Sequence, residues 1–169
     1  MEIEAVDGIA SLKEVPYRTS NKDINTFLQI IFKCLKKCKC YRYLYVNDNV
    51  ALSAADTQCI LEKLRISEAN FFDKKDYEAE QDDDVAWTTY DVLFEIMQYL
   101  GYTLIADGED VYVIDYDAIR AGRSKYYRYD ISGSAIGAAT TATISNSYHI
   151  DSNSYSENGT KVSLAEVFN

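Results

Sequence analysis

The run KCLKKCKC places Cys34, Cys38 and Cys40 at a CxxxCxC spacing, the kind of thiolate cluster that invites a zinc reading. A structural zinc needs four ligands, yet the single histidine, His149, lies far along the chain and no second CxxC pair supplies the rest. Cys34 and Cys38 sit one helical turn apart, which suits small hydrophobes on a buried stripe in a reducing compartment. With Cys59 the chain has four cysteines in all, too few and too uneven for a disulfide scaffold. Paired carboxylates for acid and base work can be drawn from Glu95, Asp107, Glu109, Asp110, Asp115 and Asp117. Acids at a hairpin tip and along an alternating outer face are, however, the default for a solvated sheet edge. His149 has neither a nucleophile nor a base beside it, and Gly133, Gly137 and Gly159 make no GxGxxG or phosphate loop. The acidic run from Asp73 to Asp84 lacks the bending glycine and closing glutamate of a calcium loop, and reads as a hydrated surface loop. The expectation is a chain without catalytic, cofactor-binding or metal-ligating residues, and so not an enzyme.

The totals narrow the class further. A chain of 169 residues that is 47% apolar and 26% charged suits one globular domain with a flexible or partner-dependent portion. A net charge of −10 argues against a grip on nucleic acid through counterion release. The small basic cluster at Lys33, Lys36, Lys37, Lys39 and Arg42 reads as a solvated face near a helix C-terminus, where the helix dipole favours cations. No apolar run approaches the roughly 20 residues that span a bilayer, and the acidic opening MEIEAVDG is unlike a signal peptide, so a soluble protein without a membrane span is expected.

The elements that must position these residues centre on Trp87 to Asp117. Val92, Leu93, Ile96, Met97 and Leu100 recur at helical spacing, with Thr88 or Thr89 as the capping hydroxyl and Gly101 just past the last apolar residue. The runs YTLIA and EDVYVIDY flank an Asp-Gly pair, the strongest short-range hairpin signal. Earlier in the chain, alternation around Ile3 and Ala5 reads as a strand, followed by an Asp7-Gly8 turn. A helix of about four turns is expected from a cap at Ser20 or Asn21, with Ile24, Phe27, Leu28, Ile31, Leu35 and Cys38 on its apolar face. In YRYLYV, Tyr41, Tyr43 and Tyr45 alternate with Arg42, Leu44 and Val46, and Asn47-Asp48-Asn49 reads as a turn into VALS, making a second hairpin. Residues 55–66 read as a short helix, residues 118–125 as a turn, and a tyrosine-rich strand follows over about Tyr126 to Ile131.

The fold class expected is therefore α+β: two helix-then-β-hairpin units packed around a small mixed or antiparallel sheet. Residues 1–131 form the domain. Residues 132–160, rich in Ser, Gly, Ala, Thr and Asn, read as an extended or flexible linker. Residues 161–169 start a helix that the chain ends too soon to complete, with Ser163 and Glu166 in capping-box spacing, so the sequence reads as part of something longer. Fifteen tyrosines need an explanation, and two stay open for Tyr41, Tyr43, Tyr45, Tyr126, Tyr127 and Tyr129: half-buried sheet surface, or contact with another subunit.

Taken in order, EIEAVDGIASLKEVPY, LQIIFKCLKKC, WTTYDVLFEIMQYLGYTLIADGEDVYVIDYD and KVSLAEVFN give a pattern that resembles tail-hub or tail-tip proteins of tailed bacteriophages and prophages, especially those of Bacteroides-type bacteria. The resemblance covers most of residues 1–131 and the last nine residues. It implies a structural subunit of the virion tail, assembled in the bacterial cytoplasm, with other tail subunits as partners and a homotrimeric ring between tail tube and spike. It carries no catalytic signature. Two further readings belong to other classes: a cell-wall hydrolase, which needs a cleft holding two carboxylates, and a carbohydrate-binding module that uses Tyr and Asp on one sheet face.

Overall fold

The computed structural model describes residues 8–19, 23–47, 59–73, 85–144, 154–157 and 160–163. Within them the protein is α+β, built on a five-stranded mixed sheet in the order β6-β7-β2-β8-β9. The strands are β2 (Tyr43–Asn47), β6 (Thr103–Asp107), β7 (Asp110–Ile114), β8 (Lys125–Asp130) and β9 (Thr140–Thr143). Strand β2 is central, parallel to β7 and antiparallel to β8. Helices α1 (Phe27–Leu35) and α3 (Thr89–Leu100) pack against each other. Their apolar faces share one core with Leu44, Val46, Val111, Val113, Tyr127 and Tyr129 of the sheet.

Helix α3 begins and ends where its sequence requires. Thr88 Oγ1 accepts the Asp91 amide at 3.1 Å, and Gly101 closes the helix in the left-handed region at φ 69°. Gly101 also frees the chain to turn back into β6, which pairs with β7 across Gly108 and Glu109. The turn differs by one position from the expected Asp-Gly centre. Asp107 and Asp110 are the closing pair, and Gly108, at φ 59°, takes the first turn position, as a type II′ turn prefers.

Helix α1 departs from expectation. Its cap is Thr26, not Ser20 or Asn21, and it is nine residues long. Thr26 and Gln29 form a capping box, with Gln29 Oε1 accepting the Thr26 amide at 2.8 Å and Thr26 Oγ1 accepting the Gln29 amide at 3.2 Å. Ile24 accordingly leaves the apolar stripe for strand β1 (Ile24–Thr26), where it is exposed. Strand β1 pairs with β3 (Arg65–Ser67), so the helix expected over 55–66 ends at Lys63, its described part being α2 (Ile60–Lys63). Cys38 lies past the end of α1 in a turn that closes at Lys39, φ 60°.

The expected second hairpin is also replaced. Both edges of β2 are occupied, by β7 and β8, so β2 has no place for a hairpin partner. Where the end of the hairpin run at Tyr116 and a turn from Ala118 were expected, the chain forms the short helix α4 (Tyr116–Arg120), capped by Asp115 Oδ1 on the Asp117 amide at 2.8 Å. Strand β9 continues the sheet past residue 131. Strands β10 (Ser154–Glu157) and β11 (Thr160–Ser163) form a separate antiparallel pair, which puts Ser163 in a strand rather than at a helix cap. A two-stranded pair joins β4 (Phe72–Asp73) to β5 (Val85–Ala86). The expectations for Ile3 and Ala5, for residues 48–53 and 55–58, for most of the acidic run, for His149 and for residues 164–169 lie outside the described residues. Among the described residues no helix is long and apolar enough to cross a membrane.

Candidate protein interface

Alternation along the sheet sorts the tyrosines by face. Leu44, Val46, Val111, Val113, Tyr127 and Tyr129 point to the helices, so Tyr43, Tyr45, Tyr112, Tyr126 and Arg128 point away from them. On that outward face Tyr45 and Tyr112 stack with ring centroids 5.0 Å apart and planes 13° apart. Tyr43 meets Tyr45 edge-on at 6.4 Å. The Arg42 and Arg128 guanidinium carbons lie 5.0 Å and 5.1 Å from the Tyr43 ring centre, within cation–π range. Tyr43, Tyr45, Tyr112 and Arg128 are each partly exposed, so rings and guanidinium present one continuous surface.

Of the six tyrosines singled out for a subunit contact, only Tyr43 and Tyr45 remain on open surface. Tyr41, Tyr126, Tyr127 and Tyr129 are buried within the chain. Tyr41 is held by close packing, since a Cβ at Gly8 would stand 2.7 Å from its hydroxyl oxygen. Tyr129 points inward with its hydroxyl 2.5 Å from Glu62 Oε1 and 3.0 Å from Cys59 Sγ. Burial first, and then the neighbouring Cys59 and Glu62, push the Tyr129 phenol far above its ordinary pKa, so it stays protonated and donates. Tyr112 and Arg128 were not legible as interface residues, because their neighbours come from strands distant in sequence.

The other candidate groups are dispersed or engaged. Cys34 is buried, its thiol pushed up first by burial, while Cys40 is exposed and Cys38 donates to the Gly8 carbonyl at 3.2 Å. Among the described residues no group of three or more His, Cys, Asp or Glu is placed to hold a metal. Asp115 caps α4, and Asp117 pairs with Arg120 at 3.4 Å. Glu95, Asp107 and Glu109 are exposed. The Asp110 carboxyl is raised by partial burial and then by Asp107 and Glu109, but this trio lies at the β6–β7 turn rather than in a cleft.

The basic cluster is less solvated than its sequence suggests. Lys33 Nζ donates to Glu68 Oε1 at 2.6 Å, Lys36 Nζ to the Ser132 carbonyl at 3.0 Å, and Lys37 Nζ to the Pro16 carbonyl at 2.8 Å. Glu68, on the 3₁₀ turn Glu68–Phe71, is fully buried and also accepts from Tyr17 at 2.6 Å and Thr19 at 2.8 Å. Burial alone would raise the Glu68 pKa. The bonds from Lys33, Tyr17 and Thr19 outweigh it and hold the carboxyl below its usual range. Glu68 thus ties the segment before α1, α1 itself and the segment after β3 into one unit, and nothing in its local sequence signals this.

The geometry leaves an aromatic and guanidinium sheet face as the surface best suited to recognition. No protein-family model matches the chain, and no curated protein or solved structure matches it.

Proposed function

We propose that this chain is a non-enzymatic assembly module of a bacteriophage or prophage tail hub or tail tip, which contacts other copies of itself through the outward face of its sheet. The observation that carries this reading is the Tyr43, Tyr45 and Tyr112 tract with Arg42 and Arg128. Tyrosine and arginine are the residue types enriched in interface cores and among their energetically dominant contacts. Stacked rings lose little conformational freedom on binding, because their neighbours already hold them. The resemblance of the helix and hairpin from Trp87 to Asp117 to tail-hub proteins supplies the biological setting, with a trimer as the expected assembly.

Sedimentation of the chain over a wide concentration range tests the reading. Reversible association toward a trimer is expected, weakened about tenfold or more by Tyr45→Ser, which corresponds to roughly 1.4 kcal/mol or more. A chain that stays strictly monomeric at high concentration would overturn it. The same stacked rings lie on a face with Asp110 and Asp130, an arrangement that also suits a sugar ring, so the second reading is carbohydrate binding. Saturable binding on a glycan array, lost in Tyr45→Ser, would favour it.

A further inference from the structure

Among the described residues strand β6 lies at the end of the sheet, with β7 on one side. The ladder closes on Asp107 opposite Asp110, so Thr103, Ile105 and Asp107 exchange hydrogen bonds with β7. Leu104 and Ala106 therefore aim their N–H and C=O groups at the outer edge. Beside this strand, between β6, α3 and Ile9, lies a groove of about 230 Å³ whose lining includes Tyr90, Phe94, Met97, Tyr102 and Leu104. Phe94 stacks on Tyr90 with centroids 6.1 Å apart, yet its side chain is 57% exposed. Tyr90 and Phe94 of α3 thus form a partly exposed aromatic wall of the groove, facing Leu104 of the last strand.

The charge around the edge has one sign in excess. Asp91 and Glu95 are exposed on α3, and Asp107 and Glu109 are exposed at the turn beside Asp110. At that turn the Asp110 carboxyl is raised first by partial burial and then by Asp107 and Glu109, while Tyr112 and Arg128 act against the rise. Lys13, 4.8 Å from the Tyr90 ring centre, is the basic side chain beside the groove wall among the described residues.

We infer that this edge and groove receive an extended, basic segment of a partner protein, which adds a strand beside β6. Its backbone pairs with Leu104 and Ala106, one set of alternate apolar side chains enters the groove under Phe94, and its Lys or Arg side chains meet the acids of the rim. The site lies on a different part of the molecule from the outward tyrosine face and does not depend on it.

A fluorescent peptide in which Lys alternates with Val and Phe provides the probe, against a control of the same composition with its Lys residues in one block. Anisotropy titration is expected to show saturable binding of the alternating peptide, at least about tenfold tighter than the control, weakening as salt rises. Ala106→Pro removes an edge N–H while leaving the bonds to β7 intact, and Phe94→Ser removes the wall from an exposed position. Each is expected to weaken binding about tenfold or more with an unchanged thermal melt. Equal binding of both peptides, or an affinity unmoved by Ala106→Pro, would overturn the inference. So would self-association of the chain that Ala106→Pro abolishes, because a second copy would then own the edge.

Discussion

The two faces of the central sheet use the same residue type for opposite ends. On β8, Tyr129 turns inward, where its ring is 1% exposed and its hydroxyl is held by Glu62 and Cys59. Next to that strand, Tyr45 of β2 turns outward, where its ring stacks on Tyr112, meets Tyr43 edge-on and stays partly exposed. The inner tyrosine completes a core and must satisfy its polar tip there. The outer one is partly exposed, and its ring is held in place by Tyr43 and Tyr112. Alternation assigns each tyrosine its face, and the cover above that face decides the rest, since Tyr126 shares the outward side with Arg128 and is nonetheless buried.

The largest effect expected on the inner side comes from the buried carboxylate behind the helices. Lys33→Ala leaves Glu68 charged, fully buried and held only by two hydroxyls, at a cost of about 3 kcal/mol in urea unfolding. Its pH dependence has a definite sign. The folded Glu68 pKa is depressed, so its contribution is present above the unfolded carboxylate value of about 4.3 and is lost as pH falls through the folded value. Lys33→Ala should flatten that acid limb, and an unchanged limb would show that the ion pair does not couple to folding. Next in size, Tyr129→Phe keeps the ring but removes the hydroxyl that joins Glu62 and Cys59, for a loss of about 2 kcal/mol.

The outer face should respond in the reverse way. Tyr45→Ser removes a stacked pair at a partly exposed site, and its cost in unfolding is expected to be about 1 kcal/mol or less. The contrast between the faces would fail if Tyr45→Ser proved as destabilising as Tyr129→Phe. It would sharpen if Tyr45→Ser left the melt nearly unchanged while association fell.

Much of the local structure was legible. Thr88, the apolar spacing from Val92 to Leu100, and Gly101 mark α3 at both ends, because capping and left-handed closure depend on residues within one turn. Gly108 marks the β6–β7 turn, and the alternation of Leu44 and Val46 with Tyr43 and Tyr45 marks β2 and its two faces. The start of α1 was misplaced because Ser20, Asn21 and Thr26 all carry capping side chains. The choice fell to Thr26, where Gln29 completes a capping box and β1 pairs with β3 just before it. The burial of Glu68 was invisible, since its partners Tyr17 and Lys33 lie 51 and 35 residues away.

By its sequence alone this protein is acidic, mixed in secondary structure, furnished with a capped helix and a tight hairpin, and unusually rich in tyrosine. These properties follow from propensities and patterns that act over a few residues. Only the tertiary structure placed β2 between β7 and β8, brought Tyr45 against Tyr112, buried Glu68 and left β6 at the edge under Phe94. The reason is physical: strand order is set by pairings across dozens of residues, whose energy appears only when distant segments bury their apolar faces together.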